Sequence, residues 1–458
     1  MALPRIIVWA SIAVLVVAFI LKIFVLTNSI PGFDEMGISY IANQLVQGKS
    51  LYTDYFDHKP PLMHYSLAVF FNFLPLTPIA IFGISFLFDT LLLFSIFLVC
   101  RKLYGMSYGV LAAATYSVFN YNLSLNTEIV LAILGIIAWL IYYNYRKTSK
   151  VHALFLCGIL IGLSLWFKQS GLMFYIPLVL HSLFLGIRDK TLKRSIKEVA
   201  LMTLGVLLVS IPLLSLMLYS VGSFFIFSIL SFNFQFSAST SILFQLGKGI
   251  ILSLQLLGIL GAIIVTGINS RNRDKSDSSI YWMILVIWLF IITSKEIFFQ
   301  HFFQLIPFVI ILATGVIHKS LSKIQFTLSL ILIISITLLL VQGLEQVTRS
   351  QLSEEYIQQR EVVSYINQSV PKEARIFSDN PTYAVLSNRE INNRLIHIAP
   401  SFASVFDYSF MCLEDYLILT HRQKFLKKEV QDCIKNNFTI EKEFRNIGES
   451  YVSIYKKD

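Results

Sequence analysis

From Ile6 onward the chain runs in long apolar stretches broken by short polar loops. Runs of about 20 apolar residues recur along its first three quarters, the length a helix needs to cross a hydrocarbon core. The pattern predicts eleven spans, at about 6–27, 78–100, 107–123, 128–145, 152–168, 170–187, 199–220, 247–268, 280–295, 302–318 and 325–342. The first, Ile6 to Leu26, is too long for a typical signal-peptide core, and no small-x-small site follows it. It reads as a retained helix rather than a cleaved signal.

The loops carry patterns of their own. Between Asp34 and Gln47, the apolar Ile38, Ile41, Ala42 and Leu45 fall at i, i+3, i+4 and i+7, and Gly48 is placed to end the turn. That predicts a short amphipathic helix lying in the membrane interface. Leu62 to Leu74 is apolar but too short to span, so a second interfacial helix or a partial insertion is expected there. Phe224 to Phe236 is aromatic-rich and suits the headgroup region. Past residue 343 the long apolar runs stop and charge rises. Gln351 to Gln368 has helical character, and Arg375–Phe377, Tyr416–Leu419 and Tyr451–Tyr455 look like short strands. The expectation is a helical membrane domain over 1–342 and a small α/β domain of about 110 residues over 343–458, outside the membrane.

Composition agrees with the pattern. Hydrophobic residues make up 55% and charged residues 14%, against roughly 25% charged in a soluble domain, and mean hydropathy is +0.68. The net charge of +10 is not a nucleic-acid signal, because the basic residues sit in short loops between spans. Arg101-Lys102, Arg146-Lys147-Lys150, Arg188 to Lys197, Arg271 to Lys275 and Lys319-Lys323 alternate with basic-poor loops. The positive-inside rule makes that side cytoplasmic. The 28–77 loop, the 221–246 loop, the 295–301 turn and the C-terminal region then lie outside. Cys100 and Cys157 lie in apolar spans, while Cys412 and Cys433 can pair if their region faces an oxidising compartment.

Chemistry-bearing residues gather at the expected outer boundary. Asp34-Glu35 opens the first outside loop. An acid pair there suits the helix dipole, or supplies a general base with a neighbour that tunes it or helps hold a metal. His58-Lys59-Pro60-Pro61 follows. The prolines fix φ and push the preceding residue to an extended conformation, so Lys59 is either held as a point charge for a departing phosphate or is an interfacial anchor that snorkels to lipid headgroups. Glu128, in Asn126-Thr127-Glu128, is either a first-turn charge or a second active-site carboxylate. Lys168-Gln169 interrupts an apolar stretch, where charge is expensive; it marks a tight turn or binds an anionic head group. His301, before Phe302 and Pro307, is an interfacial anchor or, on the same face as the acids, a substrate or metal contact. Lys295 and Glu296 nearby are positioned to pair at the surface.

Asp89 sits near the centre of its span, where a carboxylate costs on the order of 3 kcal/mol on insertion scales and needs a partner. It reads as structural, with no partner apparent in the sequence. No P-loop, HExxH or Cys/His metal set is present. An outside site cannot draw on cytosolic ATP or nucleotide-sugars, so a donor already linked to lipid fits.

The combination resembles the GT-C glycosyltransferases, in particular glycosyltransferase family 39, which includes protein O-mannosyltransferases and bacterial lipid A aminoarabinose transferases. The resemblance rests on Asp34-Glu35, Tyr40, Ala42, Leu45, Gly48, Tyr52, Asp54 and Lys59-Pro60-Pro61-Leu62. It extends to Glu128, Lys168-Gln169 and His301 to Pro307. It implies a polyprenyl-phosphate-sugar donor and an acceptor on the outer face that is lipid, glycan or protein. Asp34 is then the general base and Lys59 stabilises the leaving phosphate, with Lys168 assisting. Glu128 shares the cavity, orienting the acceptor or helping to hold a divalent ion, and the anomeric centre inverts. Two departures argue against the aminoarabinose substrate: His58 stands where those members often have an acid, and Tyr40 falls two positions late. There is no room for the large lectin-like insertion that protein-mannosylating members often carry. The rival readings are a lipid or polysaccharide transporter, whose symmetric halves are not seen here, and a glycan polymerase or ligase.

Overall fold

The computed structural model describes residues 5–28, 30–119, 124–232, 247, 278–294, 299–318, 354–391, 395, 398, 400–445 and 451–458. The span expected at 247–268, apart from residue 247, the span expected at 325–342, the clusters Arg271 to Lys275 and Lys319-Lys323, the pair Lys295-Glu296 and residues 233–236 lie outside the described residues. The apolar runs form helices: α1 (Arg5–Asn28), α2 (Phe33–Val46), α3 (Leu62–Phe71), α4 (Pro78–Tyr104), α5 (Met106–Phe119), α6 (Thr127–Thr148), α7 (His152–Phe167), α8 (Tyr175–Arg188), α9 (Leu192–Val221), α10 (Ser278–Ile292) and α11 (Ile306–His318). A 3-10 turn, Gln169–Phe174, leads into α8. Among the described residues, α1, α4, α6, α9 and the Gln169–Arg188 stretch are the five long and apolar enough to cross a membrane. The chain is a multi-pass membrane protein. α5, α7, α10 and α11 stand where further spans are expected but are shorter.

The described residues pack as two compact units. One lies within 1–23, 86–220 and 239–343. Its core surrounds α6, where Trp139, Tyr142, Phe174 and Phe308 are buried. α7 and α9 touch backbone to backbone at Gly158 and Gly205. A Cβ on Gly158 would stand 2.0 Å from the Met202 carbonyl oxygen, so small residues set this approach. α4 and α6 each end on two basic residues, Arg101-Lys102 and Arg146-Lys147, which complement the helix dipole.

Buried charge in this unit is paired. Asp89 on α4 receives the Lys22 ammonium from α1 on one carboxylate oxygen. On the other it accepts the Tyr116 hydroxyl from α5 at 2.8 Å. Lys22 and Asp89 are 4% and 2% exposed, so neither is solvated without the other. Glu198 on α9 likewise accepts from Tyr145 and Ser182, both at 2.6 Å, and pairs with Arg146 at 2.9 Å.

The other unit lies within 24–85, 221–238 and 344–458. The expected strands form, and with them one the sequence pattern does not reveal. β1 (Ile376–Ser378), β2 (Tyr416–Thr420), β3 (Phe438–Arg445) and β4 (Tyr451–Lys457) make a mixed sheet ordered β1-β2-β4-β3. β1 runs parallel to β2, with Phe377 opposite Leu417, and the other pairs are antiparallel. α12 (Glu354–Ser369) buries Val362 and Ile366 against Ile376, Ile418 and Ile454. Cys412 and Cys433 form a disulfide. α2 packs against α3 and against the short helix Pro381–Leu386. Tyr40 and Tyr55 hold the Ile391 backbone, its N–H donating to the Tyr40 hydroxyl at 2.7 Å and its carbonyl accepting from Tyr55 at 3.1 Å. α2 is therefore covered continuously from Glu35 to Ala42, more completely than its one-face pattern predicts. α3 keeps the amphipathic form, with Met63, His64 and Leu67 buried and Tyr65 and Val69 exposed.

Asp379 follows β1 and is fully buried. Burial pushes its carboxyl up to about 6, against the pull of the Thr420 N–H and hydroxyl donors and of Arg422.

Two outcomes follow. Lys22→Ala takes the cation away from the buried Asp89 carboxylate and should cost about 3–5 kcal/mol; Lys22→Met with Asp89→Leu should recover most of it in thermal unfolding in micelles. An equal loss in single and double variants would sink the pairing argument. The raised Asp379 carboxyl holds its proton in the folded state between about pH 4 and 6 while the unfolded chain has shed it. Stability should therefore fall as pH rises through that window. Asp379→Asn should flatten the slope and gain up to about 3 kcal/mol at pH 7, read from melting curves at pH 4 to 8.

Candidate functional site

In the unit that carries the first loop, α2 begins at Phe33, and its acid pair divides into two roles. Glu35 is buried, and its carboxylate accepts the Gly32 N–H at 2.7 Å, which satisfies a donor that the helix start leaves orphaned. Asp34 is exposed. The Arg422 guanidinium stacks 4.0 Å from the Phe33 ring centre and donates to the Ile398 carbonyl at 3.0 Å, which fixes the residue preceding Asp34.

The His58-Lys59 segment is clamped from both ends. The buried Asp57 carboxylate accepts the His58 N–H at 2.6 Å and the Lys59 N–H at 3.2 Å, a turn in which an Asp side chain bonds the backbone two residues on. On the far side, the Tyr52 hydroxyl donates to the Lys59 carbonyl at 2.6 Å. Tyr52 is fully buried and held at φ +72. Few residues with a Cβ adopt such a conformation unless their surroundings demand it. Pro60 and Pro61 then lead into α3. Lys59 itself is half-buried. His64, fully buried on α3, places Nε2 2.8 Å from the second Asp57 oxygen. A carboxylate only accepts, so Nε2 carries the proton. Burial works against the Asp57 charge, but Lys59 and the two histidines outweigh it and hold the carboxyl well below its usual range. His58 Nδ1 lies 3.2 Å from Asp57, and its ring packs beside Phe232 and Phe402.

In the other unit, Glu128 occupies the first turn of α6 and is 2% exposed. Lys168, at the end of α7, donates to its carboxylate, and His301 Nε2 lies 3.9 Å from the same oxygen. Three residues singled out separately in the sequence thus converge. Lys168 is placed by the hairpin that follows it. Gly171 lies against the Ser164 backbone, where a Cβ would fall 2.4 Å from the Ser164 carbonyl carbon, and its N–H donates to the Lys168 carbonyl at 2.8 Å. Gln169 opens this turn and is half-buried. Among the described residues no three His, Cys, Asp or Glu side chains gather in a metal-holding group.

Asp57, His64 and Tyr52 were assigned no function on sequence grounds. The legible signal was an Asp two residues before Lys-Pro, an arrangement that favours the observed turn. His64 is hidden within an apolar run.

The helical order, the apolar spans and the appended mixed sheet define a GT-C-like membrane fold. Residues 58–215, beginning at the His58-Lys59-Pro60-Pro61 segment, match the family model for dolichyl-phosphate-mannose-protein mannosyltransferase. Residues 58–215 thus resemble that family, and the fold as a whole is GT-C-like. The crystal structure of ArnT from Cupriavidus metallidurans bound to undecaprenyl phosphate is similar over 97% of each chain, with a TM-score of 0.66 and 13% identity. The oligosaccharyltransferase of Archaeoglobus fulgidus, complexed with Zn and sulfate, is similar over 96% of this chain and 72% of its own, with a TM-score of 0.54 and 12% identity. No curated protein matches in sequence.

The depressed Asp57 carboxyl contributes stability that is present above about pH 4 and lost as pH falls through its lower folded value. Asp57→Asn should lower stability by about 2–3 kcal/mol at pH 7, and the gap should close as the pH drops below about 4. A pH-independent gap in melting temperature would refute the clamp.

Proposed function

We propose that this protein is an inverting glycosyltransferase that moves a sugar from a polyprenyl-phosphate donor to an acceptor on the extracytoplasmic face of a bacterial cytoplasmic membrane. The observation that carries the reading is the clamp on Lys59: Asp57 holds its N–H and Tyr52 its carbonyl, so the ammonium projects from a backbone fixed on both sides. Such a preorganised charge stabilises a phosphate as it departs. The family match begins at this segment, and a structure of the same fold was solved with undecaprenyl phosphate. The Cys412–Cys433 disulfide suits an oxidising compartment outside the cytoplasm.

In this reading Asp34, exposed on the first turn of α2, takes the proton from the acceptor hydroxyl. The acceptor oxygen bonds to the anomeric carbon from the face opposite the phosphate. The bond from that carbon to the phosphate oxygen breaks, its electron pair leaves with the polyprenyl phosphate, and Lys59 faces the charge that develops. Inversion follows from the single displacement. Lys168, positioned by Glu128 and with His301 beside it, supplies a further cationic contact for an anionic group, and Gln169 an amide contact. Glu35 and His58 hold the binding segments in place. The exposed apolar face of α3 suits an interfacial position.

Purified protein should consume polyprenyl-phosphate-sugars from a panel, with water serving as a poor acceptor. Asp34→Asn should lower turnover by about 10²–10⁴-fold, and Lys59→Ala by about 10²–10³-fold, with melting temperatures retained. Full turnover in Asp34→Asn would remove the base assignment. A chain that binds and consumes no donor would favour transport.

A further inference from the structure

Asp34, the proposed base, is the second residue of α2, and helix ends fray. Two contacts hold this first turn. From within α2, the Glu35 carboxylate accepts the Gly32 N–H at 2.7 Å. The other comes from the C-terminal region of the same unit. The Arg422 guanidinium lies over the Phe33 ring, 4.0 Å from its centre, inside the range in which a cation and a ring face attract. Both residues are half-buried.

Arg422 is itself mounted on the sheet. It belongs to the 3-10 turn His421–Phe425, which follows β2 directly. Thr420, the last residue of β2, caps that turn. Its hydroxyl donates to the buried Asp379 carboxylate at 2.8 Å and accepts the Arg422 N–H at 3.3 Å. The next residue, Gln423, donates to the Tyr451 hydroxyl at 2.8 Å and accepts from the Tyr455 hydroxyl at 3.1 Å, both on β4. The Ile398 carbonyl steers the side chain by accepting from the guanidinium at 3.0 Å. Phe33 therefore meets a plane fixed by three separate segments. An arginine stacks and donates in one geometry, whereas a lysine offers only a point charge. We propose that Arg422 is a positioning residue for glycosyl transfer: through Phe33 it holds Asp34 in place, which makes the C-terminal sheet part of the transfer site. The inference rests on the glycosyltransferase reading and deepens it. A base must stand within hydrogen-bond reach of the proton it takes, so the order of this turn bears on turnover rather than on donor binding.

The test uses the full chain in micelles, a polyprenyl-phosphate-sugar as donor and water as acceptor. Arg422→Ala and Phe33→Leu should each lower kcat by about 10–10²-fold and leave the donor KM within about twofold. Phe33→Tyr, which keeps the ring, should retain activity, and Arg422→Lys should not. In an Asp34→Asn background, Arg422→Ala should lower the residual rate no further, because the group it positions is gone. A general folding defect would lower both backgrounds alike. Hydrogen exchange gives a readout that needs no donor. The Met36 amide, which donates to the Gly32 carbonyl at 2.9 Å, should exchange faster in Arg422→Ala, while β2 and β4 keep their protection. Unchanged kcat or unchanged Met36 exchange in Arg422→Ala, full activity in Arg422→Lys, or an equal further loss in Asp34→Asn would each overturn the proposal. An unmodified protein that consumes no donor removes the glycosyltransferase reading and this proposal with it. An active protein indifferent to Arg422→Ala removes the proposal alone.

Discussion

The Asp57 carboxylate is the constraint from which the order of the first-loop segment follows. It is buried, and a buried charge persists only if partners replace water. It finds them in the backbone N–H groups of His58 and Lys59 and in the His64 imidazole. These contacts serve two ends at once. They keep Asp57 ionised, and they determine the path of the chain into Pro60-Pro61. Tyr52 completes the arrangement from the opposite side at the expense of a left-handed backbone. The backbone that carries the lysine is thus oriented by the Asp57 carboxylate.

The membrane unit meets the same cost with different partners. Asp89 is matched by Lys22 and Tyr116, Glu198 by arginines and hydroxyls, and Glu128 by Lys168. Replacing such pairs with apolar side chains is often neutral or stabilising, so their presence is weak support for stability alone. Asp89 and Lys22 lock three helices within the apolar region, a positional role. Glu128 and Lys168 stand instead at helix ends, with His301 close by.

What was legible in the sequence was whatever depends on neighbours along the chain. The helix periodicity of residues 34–47, the strands expected at 416–419 and 451–455, and the span opening at Glu128 are local, and each forms within one or two residues of its expected bounds. β3 was not legible because Glu441, Lys442 and Glu443 interrupt its alternation. It is an edge strand whose middle faces solvent, and charge there discourages pairing with other chains. The partner of Asp89 was not legible because Lys22 lies 67 residues away, in a helix whose other central residues are apolar. Glu128, Lys168 and His301 could be named one at a time, but only folding brings them to one point. Asp57 and His64 were missed for a different reason: each acts on backbone or on another polar group, which the sequence marks only by the spacing of Asp57 from Lys59-Pro60.

Fold and site are constrained unequally in such a chain. Lipid-facing positions require only apolar bulk, so helices can keep their order while most of their residues drift, and 13% identity is compatible with similarity over 97% of the ArnT chain. The positions that cannot drift are those where polar groups are buried without water. The family match starts at His58, inside the Asp57 clamp and after the Asp34-Glu35 pair. The assignment of Asp34 as base therefore stands on local physics. Of two adjacent acids, the one that caps a buried helix start is already spent on the backbone. The one left exposed on the first turn is the one the proposed reading takes as the base.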